Sequence, residues 1–153
     1  MYTFKLQTVL DHRQFIEDNL KKEHARIRQQ VVTEQQKLES LKRKEMETHA
    51  ALKLEQEKGL SSAQVVAYHA YLKRLSDHMR TQKTVVCESR KTEAKKQDEL
   101  LEAMKKRQIL EKLKDQEHDR FNQMVLEKEM KFIDEIAVNQ FVRKQIEENG
   151  GGQ

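Results

Sequence analysis

The stretch Glu55-Gln-Glu-Lys-Gly59-Leu-Ser61-Ser-Ala-Gln64-Val-Val66 decides the architecture of this chain. Gly59 is the only glycine before position 150. It suits the left-handed position that ends a helix, because it has no Cβ to clash there. Ser61 follows as an N-cap, and Gln64 three residues later completes a capping box in which each residue satisfies the other's backbone N–H. Leu60 and Val65 stand at the positions of a hydrophobic staple. Stop, cap and restart within seven residues predict two long helices joined by a tight turn.

The residues on either side agree. In the first helix Leu20, Ile27, Val31, Leu38, Leu41 and Leu52 are separated by sums of three and four. In the second, Val65, Tyr68, Leu72, Leu75, Met79, Gln82 and Val86 repeat the 3-4 pattern. Leu100, Ala103 and Leu110 continue it, with Phe121 and Met124 placed in the same register. This is the heptad seam of a coiled coil. Gln82, Glu34, Glu45, Thr48 and Glu93 dilute it with polar groups, which predicts a hairpin of modest stability. The expected fold is all-α: an antiparallel coiled-coil hairpin over residues 1–149, with helices at about 4–57 and 62–147, a turn at 58–61 and a flexible tail at 150–153.

Composition excludes the alternatives. The chain has 153 residues, no proline and four glycines, and 37% of it is charged. Ala, Glu, Lys, Leu and Arg together make up close to half of it, as expected for long helices whose apolar period agrees. A sandwich or α/β fold of this length needs many turns, and turns need Gly and Pro. Aromatics stand at 5% and mean hydropathy at −0.96, too polar for a thick core. The single cysteine, Cys87, forms no internal disulfide and is read as a small filler residue in a reducing cytosol. The start MYTFKLQTVLDHRQ meets charge before any long apolar run, so no signal peptide is expected. No stretch approaches the roughly 20 apolar residues of a membrane span.

The two predicted helices are unequal: at 1.5 Å per residue the first spans about 80 Å and the second about 130 Å. Folding about residue 60 sets Phe4 opposite roughly residue 116, leaving residues from about 117 onward without an intramolecular partner. That overhang is rich in Phe, Met, Ile and Val, and an exposed apolar surface of this kind marks an interaction site. Charge is segmented as well. Residues 90–114 carry nine basic groups against five acidic ones, and residues 115–153 carry five against nine. A solvated face explains such runs; oppositely charged surfaces on one partner would use them for docking.

Chemistry is absent from this pattern. No glycine-rich phosphate loop follows a strand. The histidines at 12, 24, 49, 69, 78 and 118 never fall three or four apart, so no two clamp a metal from one helical turn. No catalytic, cofactor-binding or metal site is expected, and the chain is read as a non-enzyme. The acids Glu93, Asp98, Glu99, Glu102 and Glu111 interrupt the most basic segment, which argues against nucleic acid as a partner.

The two ends carry a family resemblance. Phe4-Lys5-Leu6-Gln7, Val9-Leu10, Arg13 and Glu17-Asp18 resemble the start of the flagellar export protein FliJ family. So do Leu101, Ala103, Lys105-Lys106, Leu110-Glu111-Lys112-Leu113-Lys114, Glu127, Glu129 and Asp134-Glu135-Ile136-Ala137 further along. The resemblance implies an antiparallel two-helix coiled coil, similar to the stalk of rotary ATPases, whose paired termini enter the hexameric ring of the export ATPase FliI. It implies further that the hairpin side reaches the export gate FlhA at the cytoplasmic face of the inner membrane, and that the protein escorts export chaperones. The ring contact then falls on Phe121, Met124, Met130, Phe132, Ile133, Ile136 and Phe141. The family's gate surface matches Tyr71 and Leu75, with Leu41 on the first helix. Tyr71 lies outside the seam and is expected to be exposed; Leu75 lies on it and also reads as a core residue. A virulence type III secretion stalk and a homodimeric structural coiled coil are the rival readings.

Overall fold

The computed structural model describes residues 1–151. It contains two helices packed against each other, α1 (Gln7–Lys58) and α2 (Ser62–Gly150), and no strand among the described residues. The turn forms as its residues dictate. Gly59 takes φ = 92°, the left-handed conformation that only glycine adopts without strain. Its N–H reaches back to the Gln56 carbonyl at 3.3 Å. The Gln64 N–H donates to Ser61 Oγ at 3.3 Å and the Ser61 N–H to Gln64 Oε1 at 3.1 Å, closing the reciprocal capping box.

Helix α1 begins at Gln7, three residues later than the spacing suggested. Phe4 stays outside it because its side chain is buried and its carbonyl accepts from the Gln7 N–H at 3.2 Å, a turn that leads into the helix. Helix α2 runs to Gly150, past the expected end at 147. Of the expected flexible tail, Gly150 is helical and Gly151 lies in a bend; residues 152 and 153 fall outside the described residues.

The described residues form two compact units. One comprises residues 14–105 and contains the turn. Its core is the seam: Ile27, Val31, Leu52, Leu75, Val86 and Ala103 are buried. The polar seam residues are half-buried, and Glu34 and Gln82 pair with each other across the helices. The Gln82 amide donates to the Glu34 backbone carbonyl at 2.9 Å and to Glu34 Oε2 at 2.6 Å. This bond and then Lys37 hold the Glu34 carboxyl below its ordinary range. Towards the other end of the unit, Lys96 Nζ bridges Glu23 at 2.9 Å and Glu99 at 3.0 Å. Its hydrogen bond and charge lower the Glu23 pKa, and the two carboxylates raise that of Lys96. The partners of residues 34 and 23 lie progressively later on α2, so the two helices run antiparallel here.

Glu17 is the departure from the expected seam. It is fully buried and ion-paired to Lys21 Nζ at 3.1 Å. Leu10, Glu17, His24 and Val31 fall seven apart, so strict heptad spacing placed a carboxylate where the apolar pattern alone did not look for one. Cys87 is exposed, not a filler between the helices.

The second unit comprises residues 1–13 and 106–153. Phe4 and Leu10 are its buried apolar residues. No described helix is long and apolar enough to cross a membrane.

Candidate functional site

Tyr2, ahead of α1, lies against α2 just before the uncovered part of that helix begins. Tyr2 donates its hydroxyl to the Lys114 carbonyl at 3.3 Å and to Glu117 Oε2 at 3.5 Å. Its ring meets His118 edge-on at 5.1 Å between centroids and tilts against Phe121 at 5.6 Å. Desolvation, and then the negative charge of Glu117, raise the Tyr2 pKa. Beside this contact Met1, Tyr2, Glu117, Phe121 and Met124 border an open hollow of about 480 Å³.

These contacts correct the expected start of the overhang. Phe121 and Val125 are half-buried, whereas Met124 is 45% exposed. Val125, four residues after Phe121, takes the seam position that spacing had assigned to Met124. Covering therefore extends about two turns beyond residue 117. Sequence reasoning missed Tyr2, although an aromatic two residues before Phe4 was the available signal.

From Leu126 to Gly150 every residue of α2 is exposed. Met130, Phe132, Ile133, Ile136 and Phe141 all lie in this arm, at exposures between 41% and 65%. Placing them at 3.6 residues per turn shows how they are distributed. Leu126, Met130, Ile133 and Ala137 share one side. Phe132 and Ile136 turn away from it, and Val142 and Ile146 occupy the opposite side. The arm has no continuous polar face. A surface helix normally hides its apolar side and wets the other; this one offers apolar groups in several directions at once.

The residues expected at the export gate separate. Tyr71 is 39% exposed and the Arg74 guanidinium lies 6.0 Å from its ring centroid. With Gln64, Ala67 and Tyr68 it borders a small apolar hollow just after the turn. Leu41 is half-buried on α1. Leu75 is only 4% exposed, in keeping with the core reading that its seam position also gave.

Among the described residues no group of three or more His, Cys, Asp or Glu is arranged to hold a metal ion. The histidine nearest the arm, His118, meets Tyr2 and the Asn122 amide at 3.3 Å.

Comparison with known proteins agrees with the resemblance at the two ends. No curated protein and no solved structure matches the chain. The family model described as "Flagellar FliJ protein" matches residues 2–146, which takes in the Tyr2 contact, the turn and nearly all of the uncovered arm. The chain therefore belongs to the flagellar FliJ protein family.

Proposed function

We propose that this protein is a non-catalytic stalk and adaptor, whose uncovered arm enters the ring of the hexameric export ATPase FliI. Membership of the FliJ family makes it a component of the flagellar export apparatus; the stalk role is the finer reading. One observation carries it. Residues 126–150 are uncovered and apolar on more than one side. A flat partner would bury one side of such a helix and leave the others wet. A ring surrounds it and reaches them all. Met124, Met130, Phe132, Ile133, Ile136 and Phe141 are the contacts in this reading, with Phe121 held at the arm's root beneath Tyr2.

The turn end serves the other partner. Tyr71 and the accessible part of Leu41 form the contact with the export gate FlhA, since an exposed aromatic on a polar helix favours partner binding. Coupling the ring to the gate, escort of export chaperones and residence at the cytoplasmic face of the inner membrane complete the reading.

The test is ATP hydrolysis by the purified export ATPase with the full chain and with a chain ending at Val125. Full-length protein raises the rate and co-purifies with the ring; the shortened chain does neither. Equal stimulation by both would sink the ring assignment.

A further inference from the structure

The unit of residues 14–105 has an open groove of about 780 Å³ between α1 and α2. Its floor is apolar: Val86 is buried and Leu38 half-buried. It is concave because α2 presents small side chains there, Cys87 and Ala94, seven residues apart. Its basic groups lie mostly on one side. Lys42 stands on the α1 edge; Lys83, Arg90 and Lys91 stand on the α2 edge. The one carboxylate in the lining, Glu39, is already 3.6 Å from Lys42. Arg90 faces the neutral amide of Gln35, whose oxygen accepts from it once the amide is turned. Lys83 has Arg80, Met79, Val86 and Cys87 at helical spacing, with no acid among them. Lys91 pairs with Glu88 at 3.5 Å, so the excess positive charge beside the apolar floor is that of Lys83 and Arg90, along the α2 edge.

The uncovered arm has the complementary pattern. Its stripe Leu126, Met130, Ile133 and Ala137 is bordered by Glu129 on one edge and by Asp134 and Glu127 on the other, at 3.6 residues per turn. Lys128 and Lys131 fall on the far side. The stripe covers 12 residues, 126–137, and the groove's α2 edge likewise covers 12, Lys83 to Ala94. Apolar floor meets apolar stripe, and the basic α2 edge meets carboxylates.

We propose that the groove of one molecule receives residues 126–137 of a second copy of the same chain, masking the arm until another partner takes it. Reciprocal exchange closes the pair as a dimer, the usual outcome for self-complementary surfaces. Opposite charge on the edges selects this docking over arm-against-arm association, which would oppose carboxylates to carboxylates.

The test uses the full chain alone, so its outcome is independent of the ring reading. Sedimentation equilibrium of unlabelled protein follows self-association, and a benzophenone maleimide on Cys87 reports by photocross-linking what lies over the groove. The expected results are a doubling of mass with rising concentration at low salt, reversed at about 0.5 M salt, where the Debye length falls to a few ångströms, and intermolecular cross-links within residues 126–137. Lys83→Glu with Arg90→Glu lowers cross-linking at least about tenfold, equivalent to about 1.4 kcal/mol. Adding Glu129→Lys with Asp134→Lys to that variant restores it. Circular dichroism shows each variant as helical as the parent. A monomer at every concentration, cross-links mapping elsewhere, or association indifferent to the charge reversal overturns the proposal.

Discussion

Tyr71 and Leu75 sit one helical turn apart on α2, yet Leu75 keeps 4% of its exposure and Tyr71 39%. The difference follows from the seam: steps alternating three, four and three from Val65 pass through Tyr68, Leu72 and Leu75 and miss Tyr71. Leu75→Ala should therefore cost about 2–4 kcal/mol, as for a buried leucine elsewhere. Tyr71→Ala should stay within about 0.5 kcal/mol, as for an exposed residue. Urea unfolding of the two variants measures this, and similar losses for both would contradict the burial assigned here. Lys96 offers a test by pH. Its hydrogen bond and charge lower the Glu23 pKa, so the pair contributes stability above the unfolded glutamate pKa of about 4.3. That contribution is lost as pH falls through the lower folded value. Glu23→Gln should flatten this acid limb of the stability curve while leaving the slope near neutrality unchanged. An unaltered limb would show that the bridge adds nothing in solution, the common fate of exposed ion pairs.

Each helix draws its order from a different balance. In residues 14–58, α1 is held by burial of Ile27, Val31 and Leu52; in residues 126–150, α2 has no covered residue at all. Isolated helices are marginal in water even when their sequence is favourable, because tertiary packing supplies most of their stability. Backbone amides from 126 to 150 should exchange with deuterium at least about a hundredfold faster than those around Val31. Mass-resolved exchange reads this directly, and the ATPase ring should slow it if the arm enters the ring. Equal protection of both segments in the free monomer would contradict an uncovered arm.

On the scale of the whole molecule, stability and docking fall to different residues. Cutting the chain after Val125 removes exposed apolar groups and no buried ones. The thermal midpoint of the remaining protein, measured at a dilution where it is monomeric, should shift by only a few degrees while partner binding is lost; a large fall there would mean that the arm packs onto its own chain in solution. This division also explains the low aromatic content. A seam of two helices needs Leu, Ile and Val in narrow register. Tyr68 and Phe121 are the aromatics on the α2 seam; the others are Tyr71 near the turn, Tyr2 and Phe4 beside Phe121 at the arm's root, Phe132 and Phe141 along the arm, and the exposed Phe15 on α1.

Most of the fold is readable residue by residue. Gly59, Ser61 and Gln64 specify the turn because left-handed φ and reciprocal capping are local properties that need no distant partner. The seam is readable because a 3-4 period puts apolar groups on one face whatever that face meets. Three features depend on the tertiary structure. Glu17 is buried because the facing helix covers a heptad position that an apolar pattern does not advertise. The uncovered arm starts after Val125, about two turns beyond 117, because Tyr2 folds back onto Lys114, Glu117 and Phe121, and a residue outside any helix has no period to reveal it. The basic groove exists because Lys42 and Lys83, far apart along the chain, border the same hollow. Local sequence determined which segments are helical and which face is apolar; only packing decided which part of that face stays uncovered.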